Sequence, residues 1–415
     1  MMPDGPSSLV LFAVGSLRLA DNPALRAAIA RGGPVIPVFA WTPIEDGQWA
    51  PGGASRWWLH VSLTALDDAL RARGSRLIIR CGTSTAEVLA RVVSDTAASY
   101  VAWERALTPP ERACEAAAVA VLRSLGIDYA TFDSRLLVDP SAIRRPRPFQ
   151  VYSAYWRTAR VLARAHRHSP APPRLQPPSI WPDSELLDSL SLLPIPDWAA
   201  GLRKTWRPGE AAAIQALRTF MAGSFSRYAG QRDVPGADHT SRLSPYLHFG
   251  ELSVEHLWHT LAQPDFAAEQ RSAELLRSKL GWREFAHYVL FHLPRSSDEP
   301  LDSDFASIDW RDDRADLRAW QRGRTGYPLI DAGMRQLWQT GWMHNRVRMA
   351  VASFLVKDLL MPWQIGARWF WDTLVDADLA NNTLGWQWSA GCGFDAAPFT
   401  RVFNPTLQAA HTDLD

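Results

Sequence analysis

Tyr100-Val-Ala-Trp103, Thr108-Pro-Pro-Glu111, Gly126 and Tyr129-Ala-Thr-Phe132 together spell out one complete strand, helix, strand unit. The first and last quartets are apolar and β-prone. Between them, Thr108 and Glu111 stand at capping-box spacing ahead of an alanine-rich run, and Gly126 supplies the residue that ends such a helix. The same alternation extends toward the N-terminus. Val10 to Val14 reads as a strand, Asn22-Pro23 as a cap and first helical residue, and Val35 to Phe39 as a second strand. Trp57 to Leu70 is helical, Arg76 to Ile79 is a third strand, and a helix follows Gly82. Strands alternating with helices predict an α/β domain over residues 1–135, a doubly wound, mostly parallel sheet.

Beyond it the texture changes. Residues 136–207 carry many prolines, among them Pro170, Pro172 and Pro173, and are expected to form an interdomain connector with one helix, Tyr152 to His166. From Pro208 onward the apolar residues recur at three- and four-residue spacing, which predicts an all-α domain over residues 208–415.

The chain has 415 residues, 47% apolar and 21% charged, which suits a folded protein of two domains. A net charge of +1 lacks the overall basic balance of many nucleic-acid binders and leaves room only for a local basic groove. Cys81, Cys114 and Cys392 form no CxxC pair, which argues against a disulfide framework and against a zinc site, so that no metal is expected, and fits a reducing cytoplasm. The apolar run Leu9 to Val14 is too short for a signal sequence, and no stretch is long enough to span a membrane. Half of the 20 tryptophans follow residue 270, where a large helical core would account for most of them.

Three polar segments interrupt the helical half. Thr240-Ser-Arg-Leu-Ser244 precedes Pro245, so its hydroxyls, its Arg242 and the free N–H groups of a helix start suit a pyrophosphate, although Ser244 serves equally as a plain N-cap. In Gly341 to Met349, Asn345 and Arg348 share a helical face. Asp378 and Asn382 align at i, i+4 beside Asp376. Such groups either face solvent or line a buried polar ligand.

These segments, with Gly323 to Asp331, Gly341 to Met349, Asp376 to Trp388 and Asp395-Ala-Ala-Pro398 in order, resemble the photolyase and cryptochrome signature over nearly the whole chain. Trp49 to Leu59 and Leu280-Gly-Trp-Arg-Glu-Phe285 look most similar to the bacterial class III cyclobutane pyrimidine dimer photolyases. The resemblance implies FAD in the helical domain. Tyr228, Arg232, Thr240, Ser241, Arg242, Leu243 and Ser244 would meet its phosphate side, and Asn345, Arg348, Asp376, Asp378 and Asn382 the remainder, with Asn382 beside flavin N5. Trp386, Trp363 and Trp310 fall in register with the family's electron-transfer chain.

For a substrate, the resemblance implies DNA carrying a flipped-out pyrimidine dimer, bound by a monomer that acts as a carbon–carbon lyase under blue light. Trp282 and Trp388 would stack on the dimer, with Arg283, Arg346, Met349 and Arg401 around it or its phosphates. The family's repair enzymes place at position 279 a glutamate that accepts hydrogen bonds from the bases. Lys279 stands there and can only donate. The alternative is therefore a cryptochrome-type photoreceptor without repair. A third reading, a 6-4 photolyase, would need a histidine pair, with His287 and His344 as candidates.

A second, light-harvesting chromophore, methenyltetrahydrofolate, is implied for the α/β domain, with Trp41 stacking on it and Glu45 or Glu111 as polar partners. Two departures from the pattern stand out. Val14-Gly15-Ser16 replaces an Arg-Asp pair, which unsettles local ion pairing, and the chain stops at Asp415 soon after Asn404-Pro405, which predicts a weakened edge of the helical domain.

Overall fold

A computed structural model of the chain describes residues 6–163, 168–262 and 269–411. The expected α/β unit is present. Five parallel strands, β1 (Ser8–Phe12), β2 (Val35–Trp41), β3 (Ile78–Cys81), β4 (Tyr100–Glu104) and β5 (Asp128–Phe132), lie in the order β3-β2-β1-β4-β5. Helices α1 (Pro23–Ala30), α2 (Gly53–Arg71), α3 (Thr85–Thr96) and α4 (Pro109–Ser124) connect them. Side chains alternate across the sheet. Leu9, Leu11, Ile36, Val38, Val101 and Trp103 pack with Val88, Leu89, Ala118 and Leu122 of α3 and α4 on one face. Val10, Phe12, Phe39 and Ala102 face the other way, into a core that continues through α2 toward the helical half.

Local signals explain the element ends. The Asn22 side chain accepts from Leu25 N with Pro23 at the first turn, Ser84 accepts from Glu87 N, and the Thr108/Glu111 capping box is formed. The first strand departs from its expected bounds, ending at Phe12 rather than Val14. Ala13 to Ser16 make a turn in which Ser16 Oγ donates to Ala13 O, and Gly15 takes φ +100°. A Cβ at Gly15 would lie 2.3 Å from Arg135 Nε, so both the turn and the packing require glycine. Arg18 supplies the local ion pairing that Val14-Gly15-Ser16 left in question. It is buried, donates to Gly250 O at 3.0 Å and sits 3.7 Å from Glu104.

The connector holds more structure than one helix. It contains α5 (Tyr152–Leu162) and a second short helix, α6 (Ala200–Thr205). The expected helix end at His166 lies outside the described residues. The helical half follows: α7 (Glu210–Ala222), α8 (Phe225–Gln231), α9 (Ser244–His248), α10 (Val254–Thr260), α11 (Gln270–His292), α12 (Arg314–Gln321), α13 (Pro328–Thr340), α14 (Asn345–Ser353), α15 (Trp363–Thr373), α16 (Leu379–Ala390) and α17 (Pro405–His411). No strand joins the sheet from this half among the described residues.

Buried polar contacts join the halves. Glu251 accepts from Ser62 Oγ of α2 at 2.5 Å, from Trp58 Nε1 at 3.2 Å and from Gly209 N at 2.6 Å. Burial pushes its carboxyl up to about 8 despite these donors. Gly53 N donates to Asp372 Oδ1 at 2.8 Å and Trp371 Nε1 to Ala50 O at 2.8 Å, so α2 seats directly on α15.

Candidate functional site

A cavity of about 590 Å3 opens in the helical half between α8, the 240–248 segment, α11, α14 and the start of α16. Its size is that of a site for a large organic cofactor. Every residue expected to hold the cofactor lines it: Tyr228, Arg232, Thr240 to Ser244, Asn345, Arg348, Asp376, Asp378 and Asn382.

The acidic segment shows how the wall is built. Asp376 accepts from Arg348 Nη2 at 3.0 Å on both oxygens and from Ser244 Oγ at 2.6 Å, while Arg348 Nε donates to Met343 O. This pair ties α9, α14 and the 374–378 loop around the cavity. Asp378 is not stacked under Asn382 within a helix, as the i, i+4 spacing suggested. It is the N-cap of α16, accepting from Asn381 N at 2.9 Å. Burial would raise its carboxyl, but His287 at 3.2 Å and His248 at 3.6 Å hold it well below the usual range. Asn382 Nδ2 donates to Ala367 O at 2.9 Å, which fixes the amide plane.

Ser244 also departs from its expected role. The preceding Leu243 occupies the cap position, Ser244 opens the helix, and α9 spans only five residues. A helix this short contributes little dipole, so anion binding here rests on the hydroxyls, Arg242 and local N–H groups. Arg242 has φ 49°, stacks over Trp342 at 4.9 Å and pairs with Asp238 at 3.1 Å.

Among the described residues, two buried polar atoms on lining residues have no protein partner, Arg242 Nε and Trp386 Nε1. Buried donors are rarely left so, and two of them on the lining of one cavity fit a polar ligand. Gly385 gives the same indication by shape. It lies inside α16, where glycine costs about 1 kcal/mol relative to alanine, and a Cβ there would meet nothing within 4 Å. His248, Gly385, Asn381 and Trp342 were not legible as site residues. The one available signal was the spacing of His248, one turn beyond Ser244.

The expected substrate residues divide. Lys279, Trp282, Arg283, Arg346, Met349 and Trp388 line the cavity. Trp282 is braced by Tyr152, stacked at 4.1 Å and 12°. Lys279 and Arg346 are exposed and, with Arg232, surround Asp233 at the rim; Arg346 Nε lies 3.1 Å from Asp233 and Arg232 3.3 Å from it. Partial desolvation at the rim, then Arg232, holds the Lys279 ammonium below its usual range. Arg283 is largely buried and donates to Arg135 O at 2.8 Å, so its charge is directed into the wall rather than outward. Arg401 does not line the cavity; it is exposed, with its guanidinium 5.2 Å from the Phe403 ring. Phe403 in turn touches Trp388.

Trp386 forms part of the wall, and Trp363 lies buried behind it in the same apolar cluster, with Trp310 packed at the cluster's edge. The Trp386 ring rests on Gly366, one turn along α15 from Trp363, and contacts Phe370 at 5.0 Å and Trp320 at 6.2 Å. The histidine pair of the 6-4 reading does not form. His344 caps α14 and meets Arg232 O at 2.9 Å through its other nitrogen, while His287 lies behind Asp378 rather than on the lining. Asp331 is likewise architectural, accepting from Thr325 and Gly326 to close its own loop.

In the α/β domain, Glu45 accepts from Thr85 N and Oγ1, both at 2.7 Å. Glu111 accepts from Leu107 N and Thr108 N and pairs with Arg135 at 2.9 Å. Trp41, at the end of β2, is half-buried against Phe39. Burial, then Glu111 and Glu45, pushes the neighbouring Asp46 carboxyl up to about 7.

Comparisons with known proteins agree with this architecture. The family of FAD binding domains of DNA photolyase matches residues 275–415, and the DNA photolyase family matches residues 8–176. The chain is 43% identical over 403 residues to the deoxyribodipyrimidine photo-lyase of Agrobacterium fabrum, covering 96% of itself and 83% of that protein. It is 38% identical over 432 residues to cryptochrome-1 of Arabidopsis thaliana, covering 99% of itself and 61% of that longer chain. The crystal structure of a bacterial class III photolyase from Agrobacterium tumefaciens superposes with TM-score 0.94 at 42% identity, covering all of this chain and 85% of that one. A Synechocystis cryptochrome superposes with TM-score 0.86 at 26% identity, covering 100% and 87%.

A five-stranded parallel sheet mounted on a helical domain with a polar cofactor cavity defines an FAD-binding flavoprotein. The chain belongs to the photolyase and cryptochrome family. No helix among the described residues is long and apolar enough to cross a membrane.

Proposed function

We propose that this chain repairs cyclobutane pyrimidine dimers in DNA under blue light. When bound, FAD supplies the absorption of blue light and the loan of one electron, which splits the cyclobutane ring and then returns.

The observation that carries the reading is the juxtaposition, in one cavity, of a braced indole at Trp282, a second at Trp388 and a cationic rim of Lys279, Arg232 and Arg346. Two adjacent pyrimidines of one strand, taken out of the helix, need aromatic faces to replace lost stacking and polar groups to replace lost hydrogen bonds. Rim cations hold phosphate without reading sequence. Lys279 donates to a pyrimidine carbonyl or a phosphate. Arg242 and the Thr240 and Ser241 hydroxyls hold the cofactor's phosphates, Arg348, Asp376 and Ser244 lock the wall, and Asn382 faces the flavin ring. Trp386, Trp363 and Trp310 would relay electrons from an external reductant at the surface toward the flavin, restoring its reduced state. The N-terminal domain carries a folate antenna against Trp41. The protein acts as a monomer, a reading supported by the cavity lining, which one chain supplies among the described residues.

The test is the loss of dimers from irradiated DNA incubated with reduced protein, in blue light and in darkness. Repair only in the light supports the proposal. The chain's 38% identity to a plant cryptochrome, together with Lys279, favours a second reading as a photoreceptor. If the protein binds flavin yet leaves dimers intact in the light, while Lys279→Glu splits them, the photoreceptor reading replaces the first.

A further inference from the structure

Asp21, His168 and His256 come from three separate parts of the chain: the loop before α1, the connector and α10. Asp21 Oδ2 lies 2.9 Å from His168 Nδ1 and 3.9 Å from His256 Nδ1, and the two Nδ1 atoms are 3.1 Å apart. Metal bonds of about 2.0–2.1 Å in a tetrahedron set neighbouring ligand atoms roughly 3.3 Å apart. The three observed separations straddle that edge length.

A hydrogen-bond network accounts for the cluster less well. His168 Nδ1 faces both a carboxylate oxygen and a second ring nitrogen, and it carries either one hydrogen or one lone pair. With the hydrogen, it must share it between Asp21 and His256. Without it, its lone pair is set against the carboxylate. A cation at the centre would accept all three lone pairs at once.

The carboxylate is also held in place for this. Ser169 N donates to Asp21 Oδ1 at 2.6 Å and Asp21 N donates to Ser169 O at 2.9 Å, which leaves Oδ2 directed at the imidazoles. Asp21 keeps this pose with φ 50°, an uncommon conformation for a residue other than glycine. Oriented outer partners of this kind are what a metal ligand requires. The side chains of Asp21, His256 and His168 are 6%, 24% and 41% exposed, so the cluster is sheltered on one side and open to a water ligand on the other.

We infer that Asp21, His168 and His256 form a binding site for one borderline divalent transition-metal ion, zinc by ligand chemistry, that clamps the connector between the α/β domain and α10. Two imidazoles and one carboxylate with an open fourth position match zinc rather than calcium or magnesium, which require more oxygen ligands. The site is separate from the flavin cavity and does not depend on the repair reading.

The test uses the untagged, flavin-loaded full chain, stripped with a chelator and desalted, then titrated with zinc chloride in a calorimeter. One stoichiometric site per chain is expected, with a zinc-dependent rise in Tm, since an ion that binds only the folded state stabilises it. His168→Ala and His256→Ala should each weaken that site by more than about tenfold and abolish the rise in Tm. Flavin absorbance retained by both variants shows that they fold. No zinc binding by the parent chain, or unchanged stoichiometry and affinity in both variants, overturns the inference.

Discussion

Two acidic residues of the α/β domain and the lining of the helical cavity differ in how their polar atoms are satisfied. Glu45 and Glu111 spend their carboxylates on Thr85, on the start of α4 and on Arg135, so each is accounted for within the fold. Across the helical cavity, Arg242 Nε and Trp386 Nε1 are buried with no protein partner among the described residues. The first arrangement is what a capping box and a loop staple need, and the second is what a ligand completes. The contrast separates polar residues that build a site from those that serve it. Asp376 and Arg348 fall among the builders although they line the cavity, because they satisfy each other.

The largest effect expected from that contrast is at Arg348. Arg348→Met leaves Asp376 buried with only the Ser244 hydroxyl, at a cost of about 3 kcal/mol. The purified variant should lose most of its flavin, read as the ratio of flavin to protein absorbance, and melt earlier. Normal flavin content would mean that the pair is dispensable and that the division between builders and servers fails there.

Gly385→Leu comes next. Its side chain would enter open cavity rather than meet protein, so the apo fold should gain slightly from helix propensity while flavin content falls several-fold. A combination of raised apo Tm and lost flavin is the signature; an unchanged flavin content would show that the cofactor does not reach α16.

Trp386→Phe should keep the flavin and slow its reduction by blue light and an external reductant by about tenfold or more, because phenylalanine is far harder to oxidise than indole and ΔG‡ rises accordingly. Bleaching of the flavin band as fast as in the parent chain would place the electron path elsewhere. At the rim, Lys279→Ala should weaken binding to dimer-containing DNA a few-fold and reduce the salt slope of log K by about 1. An unchanged slope would show that Lys279 meets no phosphate.

The smallest effect concerns the contacts that join the two regions. Glu251, and Glu284 of α11, which accepts from Leu137 N and Val138 N at the start of the connector, are pushed up to about 8 and about 7 by burial, above the roughly 4.3 of an unfolded chain. A raised carboxyl pKa means that the folded state binds more protons. The stabilisation is therefore present at low pH and lost as pH rises through those values. Between about pH 4 and about pH 8 these carboxyls should lower the apparent Tm by a few degrees, with no further loss from them above that range, and Glu251→Gln should flatten the profile. A Tm that rises with pH would contradict the burial of these carboxyls.

Much of the α/β domain was legible because its signals are local. Asn22-Pro23, Thr108 with Glu111 and the apolar quartets each specify a cap, a helix start or a strand within a few residues. The first strand was misplaced by two residues because Ala13 and Val14 are apolar enough to continue it. What stops it is Gly15 meeting Arg135, over a hundred residues away, and that contact has no trace in the local pattern. The same limit applied to Ser244. Its sequence neighbourhood spells an N-cap, yet its hydroxyl goes to Asp376, and only the folded chain brings those two residues within 2.6 Å.

By itself the sequence determined the two-part architecture, since periodicity and caps are properties of short segments, and its family resemblance implied the flavin residues that converge on the cavity. The tertiary structure alone decided which of those residues are already satisfied and which are left open, that Arg401 lies off the lining, and that Arg283 points into the wall. It also brought Asp21, His168 and His256 together. Hydrogen-bond satisfaction and ligand geometry are set by distances between segments far apart in the chain, and no local pattern encodes them.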